Sequence, residues 1–451
     1  LLINWMEKNM KTKKLNFAHR IPFYYGWVIV AVGFITMGVG LNARTTFSLL
    51  FPPILDEFGW SRGTVAAAFS VGFLGYSFLA PILGILIDKF GPRFVVPAGA
   101  AVSALGFILA PLATAPWHLY LTLGLMVMGG ALFFSYVAQT TFLPNWFNKR
   151  RGLAMGVAFS GVGVGSIILF PLVQYSIELD GWRFTSIIIG VSLFAILVPL
   201  NLIFQRKSPN DLGLEPDGEI EKVELDDKDE KAIKDSRIVD HDWVNTEWTL
   251  LRAIKTHRFW WLMVAFSSGL YVWYGVQVHQ TRFLIDVGIS TEIAALALGL
   301  VGLMGIGGQI GLGYLSDKIG REWGWTIGLL GFAATYLLLV IIPFWPSEIL
   351  VILMCCFQGL IGYGFAAVFG AVPIELFEGR RYGLIMGVIG AIAGFGGALG
   401  PWVTGLVFDL TGNYQGAFLL AVFLCLLSIF AMWMAGPRKV RLVAGQAGKL
   451  K

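Results

Sequence analysis

Two arginines stand inside apolar sequence, where an ionised side chain costs about 2.5 kcal/mol or more unless it is paired or meets a ligand. Arg44 falls in LNARTTFSLLF, and Arg282 comes late in GLYVWYGVQVHQTRFLID. A guanidinium is a planar fork of donors that matches a carboxylate through two parallel hydrogen bonds. Tyr271, Tyr274, Val278 and Arg282 recur at spacings of three or four, so a helix would carry them on one face. His279 lies one turn before Arg282. Two phenols, an imidazole and a guanidinium suit the binding of an anion. Each has a plainer alternative. Arg44 would snorkel to the outer surface, Arg282 would pair with Asp286, and His279 would be a packed, satisfied histidine. Asn42, Tyr136, Gln139, Gln309, Gln358, Tyr363 and Phe395 are further polar or aromatic positions in apolar sequence, suited either to a ligand or to packing.

The elements that must hold these residues follow from composition. Hydrophobic residues are 56% of the 451 and charged residues 14%, well under the share of about 25% usual in soluble domains, which argues against a soluble enzyme. Of the 61 Lys, Arg, Asp and Glu, 23 fall between Gln205 and His257. The remaining sequence divides into twelve apolar runs, at about 25–51, 63–87, 94–115, 118–143, 152–175, 184–204, 259–284, 292–316, 323–344, 347–374, 382–410 and 414–436. Each is long enough to span a bilayer as a helix. The first is too long for a cleavable signal sequence. Basic residues gather on alternate loops, at Lys89, Arg93, Lys149 to Arg151, Lys318, Arg321, Arg380 and Arg381. This predicts those loops and both termini to be cytoplasmic, in a multi-pass protein of the cell membrane.

The predicted organisation is a cytoplasmic segment 1–24, a six-helix bundle 25–204, a charged linker 205–258, a second bundle 259–436 and a cytoplasmic tail 437–451. The linker core, EIEKVELDDKDEKAIKD, has too few apolar residues to fold alone. The WVNTEWTLLRAIKTHRFWW that follows predicts a helix lying on the membrane surface. Net charge is +5, but the basic residues form no single stripe, so nucleic acid is not an expected partner. Cys355, Cys356 and Cys425 sit inside apolar runs and suggest neither disulfides nor a metal site. No cofactor is expected.

The halves repeat. GILIDKFGPR at 84–93 matches GYLSDKIGRE at 313–322, and RGLAMGVAFSGVGVG at 151–165 matches YGLIMGVIGAIAGFG at 382–396. Parallel six-helix repeats place a substrate between them near the midplane. The first pair, with Gly84, Asp88, Gly91 and Arg93 and again Gly313, Asp317, Gly320 and Arg321, resembles the signature loop of the major facilitator superfamily. Its Asp caps a helix end and pairs with a basic residue at the cytoplasmic gate; the alternative is a basic turn that only sets topology. Glu375 and Glu378, beside Arg380 and Arg381, read as a gate ion pair. GVGVGS in run five is either a packing motif or part of coupling.

YYGWVIVAVGF, FPPILDEFGWSRG and NWFNKRRGLAMGVAFSGVGVGS resemble the monocarboxylate transporter and oxalate/formate antiporter branch of that superfamily. The resemblance covers nearly all of the chain outside 205–257. It implies an all-α membrane fold of twelve helices in two parallel repeats. It also implies a secondary active transporter of small organic anions, with a monocarboxylate first, working by alternating access as a monomer in lipid. In that branch a Lys stands where this chain has Arg44 and takes part in carboxylate binding. The Asp and Arg of run eight used for proton and substrate coupling are Gly305 and Gln309 here, and run eleven lacks the antiporters' Lys. Proton symport, exchange and passive movement therefore stay open. A non-transporting receptor would need a signalling domain that the linker is too short to supply. No metal cluster, nucleophile elbow or phosphate loop supports an enzyme.

Overall fold

The computed structural model describes residues 22–60, 62–218, 237–379 and 381–446, and the linker core lies outside them. Among the described residues eleven helical runs are long and apolar enough to cross a membrane, and one of them is two helices joined end to end, which gives twelve spans. Span one is Gly26–Thr45 continued by Phe47–Phe58, two is Arg62–Phe90, three is Pro92–Leu109 and four is Pro116–Trp146. Spans five and six share the run Arg151–Phe204, divided at Gly181, whose φ of 77° and ψ of 169° break the helix. Seven is His257–Asp286, eight Thr291–Ile319, nine Arg321–Ile341, ten Glu348–Phe377, eleven Tyr382–Thr411 and twelve Gln415–Ala435. Helices satisfy their own backbone polar groups, which is why apolar runs of this length take that form in lipid.

Each half has its own core. Phe107, Phe134, Trp146 and Phe159 are fully buried in the first, and Phe266, Trp325, Phe332 and Tyr336 in the second. Trp273 of span seven packs against both cores. Large apolar side chains such as Phe78, Leu172, Leu353 and Phe423 are exposed, as a lipid-facing surface requires.

Two departures from regular helix recur in both halves. Span four is π-helical over Tyr120–Met128 and then tightens into a 3₁₀ turn at Leu132–Phe134. Span ten repeats the order with π-helix Cys356–Ile361 and 3₁₀ turn Gly362–Gly364. The internal repeat seen in sequence is thus a repeat of backbone irregularity as well. Span one bends before it reaches Pro52 and Pro53. Thr45 and Thr46 turn their hydroxyls back onto the Leu41 and Ala43 carbonyls, and the helix then runs on to Phe58. Before span seven, the expected surface helix is two short ones, His241–Asn245 and Leu250–Ala253, each started by a side-chain cap from Asp240 or Thr249.

Candidate functional site

Arg44 lies in the last turn of the first segment of span one, immediately before that bend. It is half-buried, and its Nε is enclosed with no hydrogen-bond partner. Its charge acts on the phenols of Tyr76 in span two and Tyr136 in span four; Tyr274 in span seven acts on those two and on Tyr363 in span ten. The Tyr76 hydroxyl donates to Ser135 Oγ at 3.1 Å. Tyr136 meets Phe159 edge-on, with ring centroids 4.7 Å apart, and Tyr363 stacks on Trp273 at 4.0 Å. One guanidinium and four phenols, drawn from both halves, thus share one electrostatic neighbourhood. A guanidinium with an unused donor beside hydroxyls can bind a carboxylate.

The other sequence candidates divide. Gln139, Gln309 and Gln358 are buried with amide atoms that lack partners. Gln139 packs against Gly33 of span one, and the Gln309 backbone lies against Gly156 of span five. Asn42 ties span one to span five, donating to the Gly38 and Val162 carbonyls at 2.7 and 2.8 Å. Span seven does not present Tyr271 and Arg282 alike. Tyr271 is buried against Gly400 and beside Thr404 of span eleven. Arg282 is exposed and pairs with Asp286 at 2.9 Å, the alternative its four-residue spacing allowed. His279 Nε2 lies 2.9 Å from the Pro401 carbonyl, and its ring is 5.5 Å from that of Tyr414. Phe395 is more than half exposed, with no ring partner among the described residues.

At the end of the bundle that carries the basic loops, the halves are closed on each other by a reciprocal device. Asp317, at the end of span eight, accepts the Gly152 and Leu153 amides at 2.9 and 3.0 Å. These open span five in the other half. Asp88, at the end of span two, accepts the Leu384 amide at 3.3 Å and also faces Gly383. These open span eleven. Helix N-termini leave amides unbonded and carry partial positive charge, so each Asp caps a helix of the opposite half. Backbones must approach closely for this. A Cβ on Gly84 would meet the Gly383 carbonyl, and one on Gly313 the Gly152 carbonyl.

The partners of the acids differ from those expected. Glu375 pairs with Arg321 at 2.9 Å, and Arg321 also reaches Asp317 at 2.7 Å. Arg321 comes from span nine and is buried with both acids, whereas Arg380 lies outside the described residues. Asp88 pairs with Lys207 at 3.2 Å, while Arg93 donates to the Leu202 carbonyl. Glu378 pairs with Arg441 at 2.5 Å and faces Arg151 of the other half at 3.9 Å. Burial alone would raise the Glu378 carboxyl pKa, but Arg151 and Arg441 hold it below its ordinary value. A terminal strap braces this end. Ile238 and Arg441 form an antiparallel bridge, Gly445 N donates to the Asp317 carbonyl, and Gln446 donates to the Ile319 carbonyl. Tyr76, Trp273, Arg151, Lys207 and Arg441 were missed as partners in sequence. Tyr76 had a usable signal, a phenol inside an apolar run; Arg151 and Lys207 read only as loop charge.

A model of the Major Facilitator Superfamily matches residues 30–373 and 312–450. Monocarboxylate transporter 13 of Rattus norvegicus is 26% identical over 407 residues, covering 88% of this chain and 86% of that protein. Human Monocarboxylate transporter 12 is 25% identical over 437 residues, covering 93% and 82%. Among solved structures, the proton:xylose symporter XylE aligns with a TM-score of 0.72 at 15% identity, over 91% of this chain and 95% of its own. The human organic anion transporter MFSD10 aligns at 0.68 and 15%, over 92% and 100%. This chain belongs to the Major Facilitator Superfamily, is a multi-pass membrane transporter, and resembles the superfamily's monocarboxylate transporters.

Proposed function

We propose that this transporter carries a small organic anion, a monocarboxylate, by alternating access between its two six-helix halves. The observation that carries the reading is Arg44. It is a half-buried cation with an unpartnered Nε, set near the phenols of Tyr76 and Tyr136, which in turn feel Tyr274 of the other half. The chemistry of the spans supports an anion. Every Asp and Glu of the spans stands near a helix end, so no midplane carboxylate competes for the guanidinium. Tyr136 adds a donor from the first half, and Tyr274 and Tyr363 add them from the second, so a bound carboxylate touches both moving bodies. On this reading the basic end faces the cytoplasm of a cell-membrane protein, and the latch is closed on that side. The names of the curated relatives favour the same substrate class.

Movement is proton-coupled, by exchange or passive; for proton coupling His279 is the candidate carrier. The test of the site is Arg44→Gln. A hydrogen bond to a charged group is worth about 1.5–3 kcal/mol, so affinity for a bound carboxylate should fall at least about tenfold, read by calorimetry on purified protein. Unchanged affinity in a folded variant removes Arg44 from the site. If wild type binds no member of a monocarboxylate panel, the substrate class fails.

A further inference from the structure

A second cationic site lies on the outer surface of the first half, away from Arg44. Beside the first signature turn is a cleft of about 210 Å³ between the ends of spans two, three and six. Its lining includes Phe90, Arg93, Phe94, Arg206, Lys207 and Asp211. The three cations are held in place by short bonds to the end of span six and to the signature Asp. Arg93 Nε donates to the Leu202 carbonyl at 2.7 Å. Arg206 Nη1 donates to the Ile203 and Gln205 carbonyls at 3.0 and 2.6 Å. Lys207 Nζ reaches Asp88. Asp211, the acid in this lining, is already committed, accepting the Lys207 and Ser208 amides at 3.0 and 3.2 Å. Burial, and then the charge of Arg93, lower the Arg206 pKa from its ordinary value, while Tyr25 and Asp211 act the other way.

The rim is apolar. Phe90, Phe94 and Ile203 are 52%, 58% and 55% exposed, on the helix ends beside the signature turn. The Arg93 guanidinium stands over the Phe94 ring at 5.7 Å. Cations grouped in a pocket between membrane helices, with apolar side chains on the membrane side, match a phospholipid in both parts: phosphate against the guanidiniums and acyl chains along the rings.

We propose that this cleft seats the headgroup of an anionic phospholipid, its phosphate held between Arg93 and Arg206, and that the lipid thereby acts on the gate. The link is Lys207. The same ammonium that would meet the headgroup neutralises Asp88, and Asp88 caps span eleven across the halves. A phosphate that draws Lys207 away leaves the full carboxylate charge to the Gly383 and Leu384 amides and tightens the closed basic end. The site is independent of what Arg44 binds.

The experiment is lipid retention by the full-length protein, extracted from membranes of mixed phosphatidylglycerol and phosphatidylcholine and read by native mass spectrometry. Wild type should retain phosphatidylglycerol about tenfold over its bulk ratio, as two nearby basic residues allow. Arg206→Gln should return retention to the bulk ratio, and Arg206→Lys should restore most of it. Equal retention of the two lipids by wild type overturns the proposal whether or not the variants fold. So does unchanged preference in Arg206→Gln. Inorganic phosphate is the second arm, read by thermal unfolding. Stabilisation by free phosphate without lipid preference would assign the cleft to a soluble anion and equally overturn the lipid.

Discussion

Asp317→Asn should open the basic end of this transporter far more than Asp88→Asn, although the two residues occupy matching places in the repeat. Asp317 is buried and receives two amides of the opposite half at 2.9 and 3.0 Å. Asparagine keeps one acceptor but turns an NH₂ toward the second amide, and the surviving bond loses its charge. Bonds to a charged group are worth about 1.5–3 kcal/mol each, so the closed state should lose about 3 kcal/mol, or about two decades in its population ratio. The Arg321 pairing lies within one half and survives through Glu375, so it does not enter the difference. Asp88 has a 3.3 Å bond to Leu384 and is partly exposed to solvent, with Lys207 beside it. Its removal should cost about 1 kcal/mol, or about fivefold. Spin labels at Arg150 and Arg381, exposed residues flanking the gate from opposite halves, report the separation by pulsed electron resonance. A longer distance should appear strongly in Asp317→Asn and weakly in Asp88→Asn. An unchanged distribution in Asp317→Asn, or the larger shift in Asp88→Asn, refutes the reciprocal latch.

Three further outcomes are expected. Gly313→Val should abolish uptake while the chain still inserts, because its side chain meets the Gly152 carbonyl. Gly311→Val, at a glycine with open space around it, should be nearly neutral by the same uptake assay. Glu378 has a lowered pKa, so its contribution to holding the strap is full above the ordinary carboxylate range and is lost only as pH falls through the lowered value. Tryptic cleavage after Arg441 should thus be steady from about pH 6 to 8 but faster in Glu378→Gln, and equal rates would remove Glu378 as the anchor. His279→Gln should flatten any dependence of proteoliposome uptake on an outside pH varied from about 5.5 to 8. Proton-driven uptake that survives the change rejects His279 as carrier.

The latch explains which parts of this molecule the sequence could announce. Asp88 and Asp317 were legible because a repeat writes the same functional constraint twice, and glycines must recur wherever two backbones touch. Even the irregular turns of spans four and ten keep the repeat's register. Helix number was legible for a simpler reason, since lipid demands long apolar segments one at a time. The joining of spans five and six through Gly181 leaves that count intact. Partner choice was not legible. Glu375 has Arg381 close behind it in the chain, yet among the described residues its charge is met by Arg321 from another helix, because burial excludes water there and a distant residue in contact outweighs a near one in solvent. The same rule separated the two arginines that first suggested an anion. Arg282 had a carboxylate one turn away and took it. Arg44 had none within reach along its helix, and the fold set it near the phenols of Tyr76 and Tyr136, with no carboxylate paired to it among the described residues. That unpartnered guanidinium nitrogen is why Arg44, and not Arg282, is the residue proposed to bind the substrate. Only three-dimensional packing reveals it, because it depends on what the other eleven helices leave out.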